Sequence, residues 1–238
     1  MYDPFAIKKM PASGSAFNPK LIVLYGGGGH GKQIIDLLMV TSSYKLIGVI
    51  DDEKRADSEV MGIPVLGDYH ILGNLYERGI HQALNGIGGI ADPAQRMLAF
   101  DRLQGVGFTC PTIIHPTAFV EPSATISEGA QIFAQAYVGS QCDIGFGCLI
   151  NYGAILSHDC VLAERVNISP GAMLAGGVKV GEGARIGMGA TINIGLTIGS
   201  GALVGNGATV KTDVPAGMVV HAGSTWPEPG EQKADYDV

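Results

Sequence analysis

The clearest pattern along the chain is a hydrophobic period of six. Stepping from Ile114 gives Val120, Ile126, Ile132, Val138, Ile144, Ile150, Leu156, Leu162, Ile168, Leu174, Val180, Ile186, Ile192, Ile198, Val204 and Val210, all aliphatic and without an insertion. The position four residues after each is mostly small: Ala118, Ala124, Ala130, Ala136, Cys142, Cys148, Ala154, Cys160, Ala172, Ala184, Ala190, Ala202 and Ala208. Glycine often follows the aliphatic, as at Gly139, Gly145, Gly181, Gly187, Gly199 and Gly205, which suits a bend at each corner. Six residues are too few for a helix pair and fit a short strand plus a turn. Three such units close a triangular coil of about 18 residues, so the stretch predicts about five or six stacked coils of a parallel β-helix with aliphatic ladders inside.

Ahead of the repeat the pattern changes. Leu21–Tyr25 is a short apolar strand, Gly26-Gly27-Gly28-Gly29-His30-Gly31-Lys32 a glycine loop, and Gln33–Val40 an apolar-periodic helix. A second strand, Lys45–Ile50, ends in Asp51-Asp52. Glycines let backbone approach a phosphate closely, and a new helix points free N–H groups at it. Three readings of the residues stay open. Gly26, Gly28 and Gly31 fit the dinucleotide pattern G-x-G-x-x-G, with Asp51 about 25 positions on, but the segment is only one nucleotide-sized half. Gly26, Gly31 and Lys32 fit a P-loop, but Gln33 stands where the magnesium-binding Ser or Thr belongs. A purely structural turn is the third.

The periods divide the chain into an N-terminal tail (1–19), an α/β domain (20–108), a β-helix (109–224) and a C-terminal tail (225–238), of which the acidic part, Glu228–Val238, is expected to be disordered. Glycine, at 36 of 238 residues, agrees with many tight turns. A net charge of -7 gives no basic excess for nucleic acid. No apolar run is long enough to span a membrane, and the expectation is a soluble cytoplasmic protein. The four cysteines lack metal or redox spacing. Three of them occupy the small slot of the repeat and read as packing residues, and no metal is expected.

Within the repeat Leu156 and Cys160 face inward, which leaves His158 and Asp159 on the outside of a coil. One coil further on lies Gly176. The glycine loop, the acidic pair, the array and Ser157-His158-Asp159-Cys160 together resemble the bacterial sugar acetyltransferases of the sialic acid O-acetyltransferase type, a family of hexapeptide-repeat acyltransferases. The resemblance covers roughly Leu21 to Gly223. It implies a Rossmann-like α/β domain that holds a nucleotide sugar, followed by a left-handed β-helix. It also implies a homotrimer with active sites between subunits and acetyl-CoA in the groove between neighbouring prisms.

Carried over by position, Gly28, Gly29, His30, Asp51, Asp52 and Gly88 would contact the nucleotide sugar, and Asn151 would line the sugar pocket. Asn167, Gly176, Gly187 and Gly205 would meet the cofactor. His158 would be the base, oriented by Asp159. Adjacent strand residues face opposite ways, so the pair can meet only if the chain turns there. A bare Gly176 would leave room for the thioester and offer its N–H to the developing oxyanion. Two departures are visible. Asn167 stands where several relatives carry His, and Ala222–Pro227 replaces the usual proline-alanine ending that borders the CoA adenine.

The resemblance implies an acetyl-CoA-dependent N-acetyltransferase acting on the 4-amino group of a nucleotide-linked deoxysugar in surface-polysaccharide or glycan synthesis. An amine attacking a thioester must lose a proton, and imidazole is suited to take it near neutral pH. O-acetylation of a sugar hydroxyl is the nearest alternative. A non-catalytic subunit that binds a nucleotide sugar is the alternative from a different class.

Overall fold

A computed structural model describes residues 17–89 and 93–227. Most of the N-terminal tail and the acidic segment from Glu228 lie outside the described residues. The chain falls into two units, divided between Thr112 and Ile113. The boundary expected after residue 108 comes later because residues 109–112 stay with the first unit: Thr109 donates its N–H to His81 and accepts one from Ala83, at 2.9 and 3.1 Å.

The first unit is built on a five-stranded sheet of order β3-β4-β2-β1-β5. Its strands are β1 (Leu21–Tyr25), β2 (Lys45–Ile50), β3 (Glu59–Val60), β4 (Ile63–Gly67) and β5 (Gln82–Asn85). All but the β3–β4 pair run parallel. Every residue of β1 is buried, as the continuous apolar run of a central parallel strand requires. Helix α1 (Gly29–Thr41) buries Ile34, Ile35, Leu37 and Leu38, and ends at Ser42 in the left-handed conformation with its N–H on the Leu38 carbonyl. Helices α2 (Leu72–Glu77) and α3 (Pro93–Val106) complete the unit.

The second unit is a prism of two-residue strands in three parallel sheets of seven, five and seven strands. Each inner coil repeats after 18 residues: Leu156 pairs with Val138 on one side and Leu174 on the other. The expected ladders form the core, with Ile132, Ile150, Ile168, Ile186 and Val204 all fully buried and the small slot filled by Ala, Cys or Val except at Leu196, which is partly buried. The exception is Ile114, which is exposed because no earlier coil stacks on it. The cysteines are buried thiols outside any disulfide, and three donate to carbonyls: Cys142 to Ser157, Cys148 to Ala163 and Cys160 to Ala175.

Two features at the C-terminal end differ from the expected layout. The last coil closes in 16 residues, pairing Ile198 with Val214, Val204 with Val220 and Val210 with Trp226. The β-helix therefore continues past residue 224, with Thr225–Trp226 as its final strand and the Trp226 indole N–H bonded to the Asp213 carbonyl at 3.0 Å. No helix among the described residues is long and apolar enough to cross a membrane.

Because the ladders carry the packing, Ile168→Ala is expected to lower the unfolding free energy by roughly 2–5 kcal/mol. Truncation of Ile194, which is 71% exposed, should cost less than about 0.5 kcal/mol. Urea unfolding of both variants checks the contrast.

Candidate active site

The β-helix brings His158, Asp159 and Gly176 together at one corner. Asp159 has φ +60°, so the chain turns where the pair requires it. His158 Nδ1 and Asp159 Oδ2 lie 2.6 Å apart. A carboxylate only accepts, so Nδ1 carries the proton and the lone pair is left on Nε2. Neighbouring coils fix the backbone on both sides: the Asp159 N–H donates to Ser140 at 2.9 Å, and Gly177 donates to the His158 carbonyl at 2.9 Å.

The imidazole lies over Gly176. A Cβ at that glycine would fall 2.5 Å from His158 Cε1 and 2.6 Å from Nε2, so any side chain there would displace the ring. The Gly176 N–H has no backbone acceptor among the described residues. One coil further, Ile194 stands as an exposed apolar residue that the sequence reading did not single out; being exposed and off the six-residue ladder, it carried no signal there. In the single chain the His158 and Asp159 side chains are 63% and 60% exposed.

The remaining β-helix candidates lie elsewhere on the prism. Asn151, Gly187 and Gly205 stack, with Ser169 between them, along the corner that follows the Asn167–Ile168 strand, whereas His158 and Gly176 occupy the corner that follows Ile155–Leu156. The Asn151 side chain accepts from the Tyr152 N–H at 3.1 Å. Gly187 has a packing reason to be bare, since a Cβ there would sit 2.6 Å from the Asn206 nitrogen; Gly205 is crowded in the same way by Ala222. Asn167 is buried, and its Oδ1 and the Ser169 Oγ have no hydrogen-bond partner among the described residues.

In the first unit Gly28, Gly29, His30, Asp51, Asp52 and Gly88 line one cleft at the carboxyl ends of β1, β2 and β5. The sharp turn is made by Gly26, with φ +106°. A Cβ on Gly31 or Gly86 would collide with the Gly26 carbonyl, so these glycines serve packing. Gly28 and Gly29 do not: a Cβ on either meets nothing within 4 Å, and neither has a positive φ. The loop is held by Asp51, whose Oδ2 accepts the Gly27 N–H at 2.7 Å and whose Oδ1 accepts from Glu53 and Lys54 at 3.0 Å each.

Asp52 is engaged by residues that the sequence did not reveal. Its Oδ1 accepts the Tyr69 N–H at 3.1 Å, and its Oδ2 meets the Tyr25 hydroxyl at 2.9 Å and Arg102 at 2.5 Å. Arg102 also donates to the Tyr25 hydroxyl and lies 3.8 Å over the Tyr69 ring. Burial, opposed by Arg102 and reinforced by Asp52, pushes the Tyr25 phenol up to about 12. On the other side of the cleft, Asn85 donates to the Arg96 carbonyl and accepts from Ile87, while Arg96 bonds the Ile87 carbonyl at 2.6 Å, fixing the turn before Gly88.

Comparison with known proteins identifies the family. Residues 21–103 match the family described as PglD N-terminal domain, and residues 159–193 match bacterial transferase hexapeptide (six repeats). A variant of perosamine N-acetyltransferase from Caulobacter crescentus, solved with CoA and GDP-perosamine, is 34% identical with a TM-score of 0.80 over 87% of this chain and 96% of that one. The acetyltransferase domain of PglB from Neisseria gonorrhoeae, solved with acetyl coenzyme A, is 33% identical with a TM-score of 0.79 over 87% and 98%. WeeI from Acinetobacter baumannii is 27% identical, with a TM-score of 0.75 over 84% and 95%. The chain belongs to the PglD-like hexapeptide acyltransferases. Its second unit is the left-handed parallel β-helix of that family, and the protein is an acyltransferase. No curated protein sequence matched.

Two outcomes follow. Gly176→Ala should leave the fold intact, because this glycine has no positive φ, yet reduce acetyl transfer by roughly 100-fold by displacing the His158 ring; steady-state kinetics beside thermal unfolding separates the two effects. The raised Tyr25 pKa means that the fold favours the protonated phenol. That contribution is intact below pH 10.0 and lost as the pH rises towards about 12. Urea midpoints should therefore fall less steeply across this range in Tyr25→Phe than in the wild type.

Proposed function

We propose that this acetyl-CoA-dependent sugar acetyltransferase acetylates the 4-amino group of a nucleotide-linked amino-deoxysugar, with His158 as the general base. The observation that carries the proposal is the imidazole seated over Gly176, its Nδ1 tied to Asp159 and its Nε2 free. Nε2 takes the proton from the amine as the nitrogen bonds to the acetyl carbon, and the carbon–sulfur bond breaks. The imidazolium then returns the proton to the departing sulfur, which leaves as the free thiol. Asp159 keeps the ring in the reactive tautomer and stabilises its charged form. The Gly176 N–H, having no backbone acceptor, is available to the charge that develops on the carbonyl oxygen.

The cosubstrate fits the residues present. Asn167 Oδ1 and Ser169 Oγ are buried polar atoms without partners among the described residues, and Ile194 offers an apolar surface beside Gly176. Asn167 can exchange hydrogen bonds with the cosubstrate but cannot titrate there as a histidine would. Gly187 and Gly205 keep a place along the groove only through their bare backbone, because coil packing already requires them to be glycine.

Gly187 and Gly205 lie on a different corner of the prism from His158 and Gly176, which supports a homotrimer with active sites between subunits. The outward row Phe119, Tyr137, Ile155 and Met173 runs up the face next to His158, with the rings of Phe119 and Tyr137 stacked at 6.0 Å and Phe119, Ile155 and Met173 exposed. A second copy would cover this row. We place the reaction in the cytoplasm, in glycan or surface-polysaccharide synthesis. The first unit supports the nucleotide-sugar reading: Gly28 and Gly29 are bare for no internal reason, beside the paired aspartates and His30. GDP-perosamine, bound by the Caulobacter protein, is an amino sugar of this class.

His158→Ala is expected to lower transfer by roughly 100- to 10,000-fold while the affinity for the nucleotide sugar stays within about twofold. Unchanged turnover would remove His158 from the mechanism. Ile155→Asp with Met173→Asp should shift the protein from trimer to monomer in light scattering and abolish transfer; a trimer that survives both changes would place the subunit contact on another face.

A further inference from the structure

Arg102 pairs with the cleft of the first unit without lining it. Its guanidinium lies 2.5 Å from Asp52 Oδ2, and Asp52 belongs to the cleft wall whereas Arg102 does not. The contacts close a ring: Arg102 donates to the Tyr25 hydroxyl, that hydroxyl donates to Asp52 Oδ2, and Arg102 donates to the same oxygen. With its pKa pushed up to about 12, the Tyr25 phenol remains a donor at neutral pH. The guanidinium also lies over the ring of Tyr69, the residue whose N–H donates to Asp52 Oδ1 at 3.1 Å.

A carboxylate offers about four acceptor positions. Oδ2 of Asp52 is used twice and Oδ1 once, which leaves one position, on Oδ1, open among the described residues. Charge sets a second condition. Asp51, Asp52 and Glu53 line the cleft, with Lys54 as the one lysine or arginine on the wall. Asp51 is held by three backbone N–H groups and by no cation among the described residues. A nucleotide sugar is itself an anion, and three carboxylates facing one cation would repel it. Arg102 reduces that repulsion, because the Asp52–Arg102 pair presents a dipole to the ligand in place of a full charge.

We infer that Arg102 is a positioning residue for the nucleotide sugar. Acting through Asp52 from behind the cleft wall, it offsets the charge of that carboxylate against an anionic ligand and leaves Asp52 one acceptor position, on Oδ1, for a ligand N–H or O–H. It takes no part in acyl transfer, whose groups stand on the β-helix. The inference rests on the nucleotide-sugar reading and adds to it a residue that works without touching the ligand.

Steady-state kinetics of the full chain tests the inference, with acetyl-CoA and whichever of the GDP-, UDP- and dTDP-linked 4-amino-4,6-dideoxysugars is turned over fastest. The variants are Arg102→Met, Arg102→Lys, and Arg102→Met combined with Asp52→Asn. Arg102 and Asp52 are 25% and 36% exposed, so water screens the charge in part. Arg102→Met is expected to raise the KM for the nucleotide sugar about tenfold, while kcat and the KM for acetyl-CoA stay within about twofold. The increase should shrink as salt rises, and Arg102→Lys, which keeps the charge, should recover most of the loss. In the double variant the Asn carbonyl replaces Oδ1 and no charge is left unpaired, so the KM should return to within about threefold of wild type. A residue that merely braced the fold would show neither salt relief nor rescue by loss of its partner. Should Arg102→Met fail to fold, Arg102→Gln, which still bonds Asp52 but lacks the charge, is held to the same outcomes. A KM for the nucleotide sugar within about twofold of wild type, or a raised KM that neither salt nor Asp52→Asn relieves, would overturn the inference and leave the nucleotide-sugar reading in place. A wild-type protein that turns over none of the three sugars would overturn both.

Discussion

The structure depends on the stacking of one coil on the next, held by parallel backbone hydrogen bonds between residues 18 apart. The ladder is continuous through the inner coils, with each strand pair bonding to the coil before and the coil after. Its consequence is positional: whatever stands 18 residues along the sequence stands next door in space. His158 is placed over Gly176 by this rule alone, and the hydrogen bonds from Asp159 to Ser140 and from Gly177 to His158 hold the corner in register. A site built this way needs no long loop to be ordered. A single residue inserted between His158 and Gly176 would move the glycine away from the ring and turn the ladder positions between them off the core.

Much of this was legible because a six-residue period is a direct reading of geometry. The inward aliphatics, the small slot, the buried cysteines and the outward position of His158 all follow from counting. The meeting of His158 with Asp159 required a turn, and the left-handed Asp159 backbone supplies it. The shortened closure of the last coil and its final strand were not legible, since the coil closes two residues early and Trp226 falls off the six-residue count while still packing on the core. A period can be read only as far as it is kept.

The α/β unit gave less away. Glycine spacing located the cleft but could not say which glycines the packing itself requires; the atoms that each missing side chain would meet make that distinction. Gly26, Gly31 and Gly86 are packed against one another, whereas Gly28 and Gly29 face open space. Arg102 lies 50 residues from Asp52 and 77 from Tyr25, on a helix with no motif, so nothing local linked them before folding. The cluster leaves both Asp52 oxygens engaged, so this carboxylate shapes the cleft wall before any ligand arrives.

The central claim is that the amine of a nucleotide-linked sugar is the acetyl acceptor. Thiol release from acetyl-CoA is the most direct measurement, made with GDP-, UDP- and dTDP-linked 4-amino-4,6-dideoxysugars beside their 4-hydroxy counterparts. The account predicts stoichiometric release with at least one amino sugar and none with its hydroxy counterpart. Release with hydroxy sugars alone, or with no nucleotide sugar at all, would contradict it.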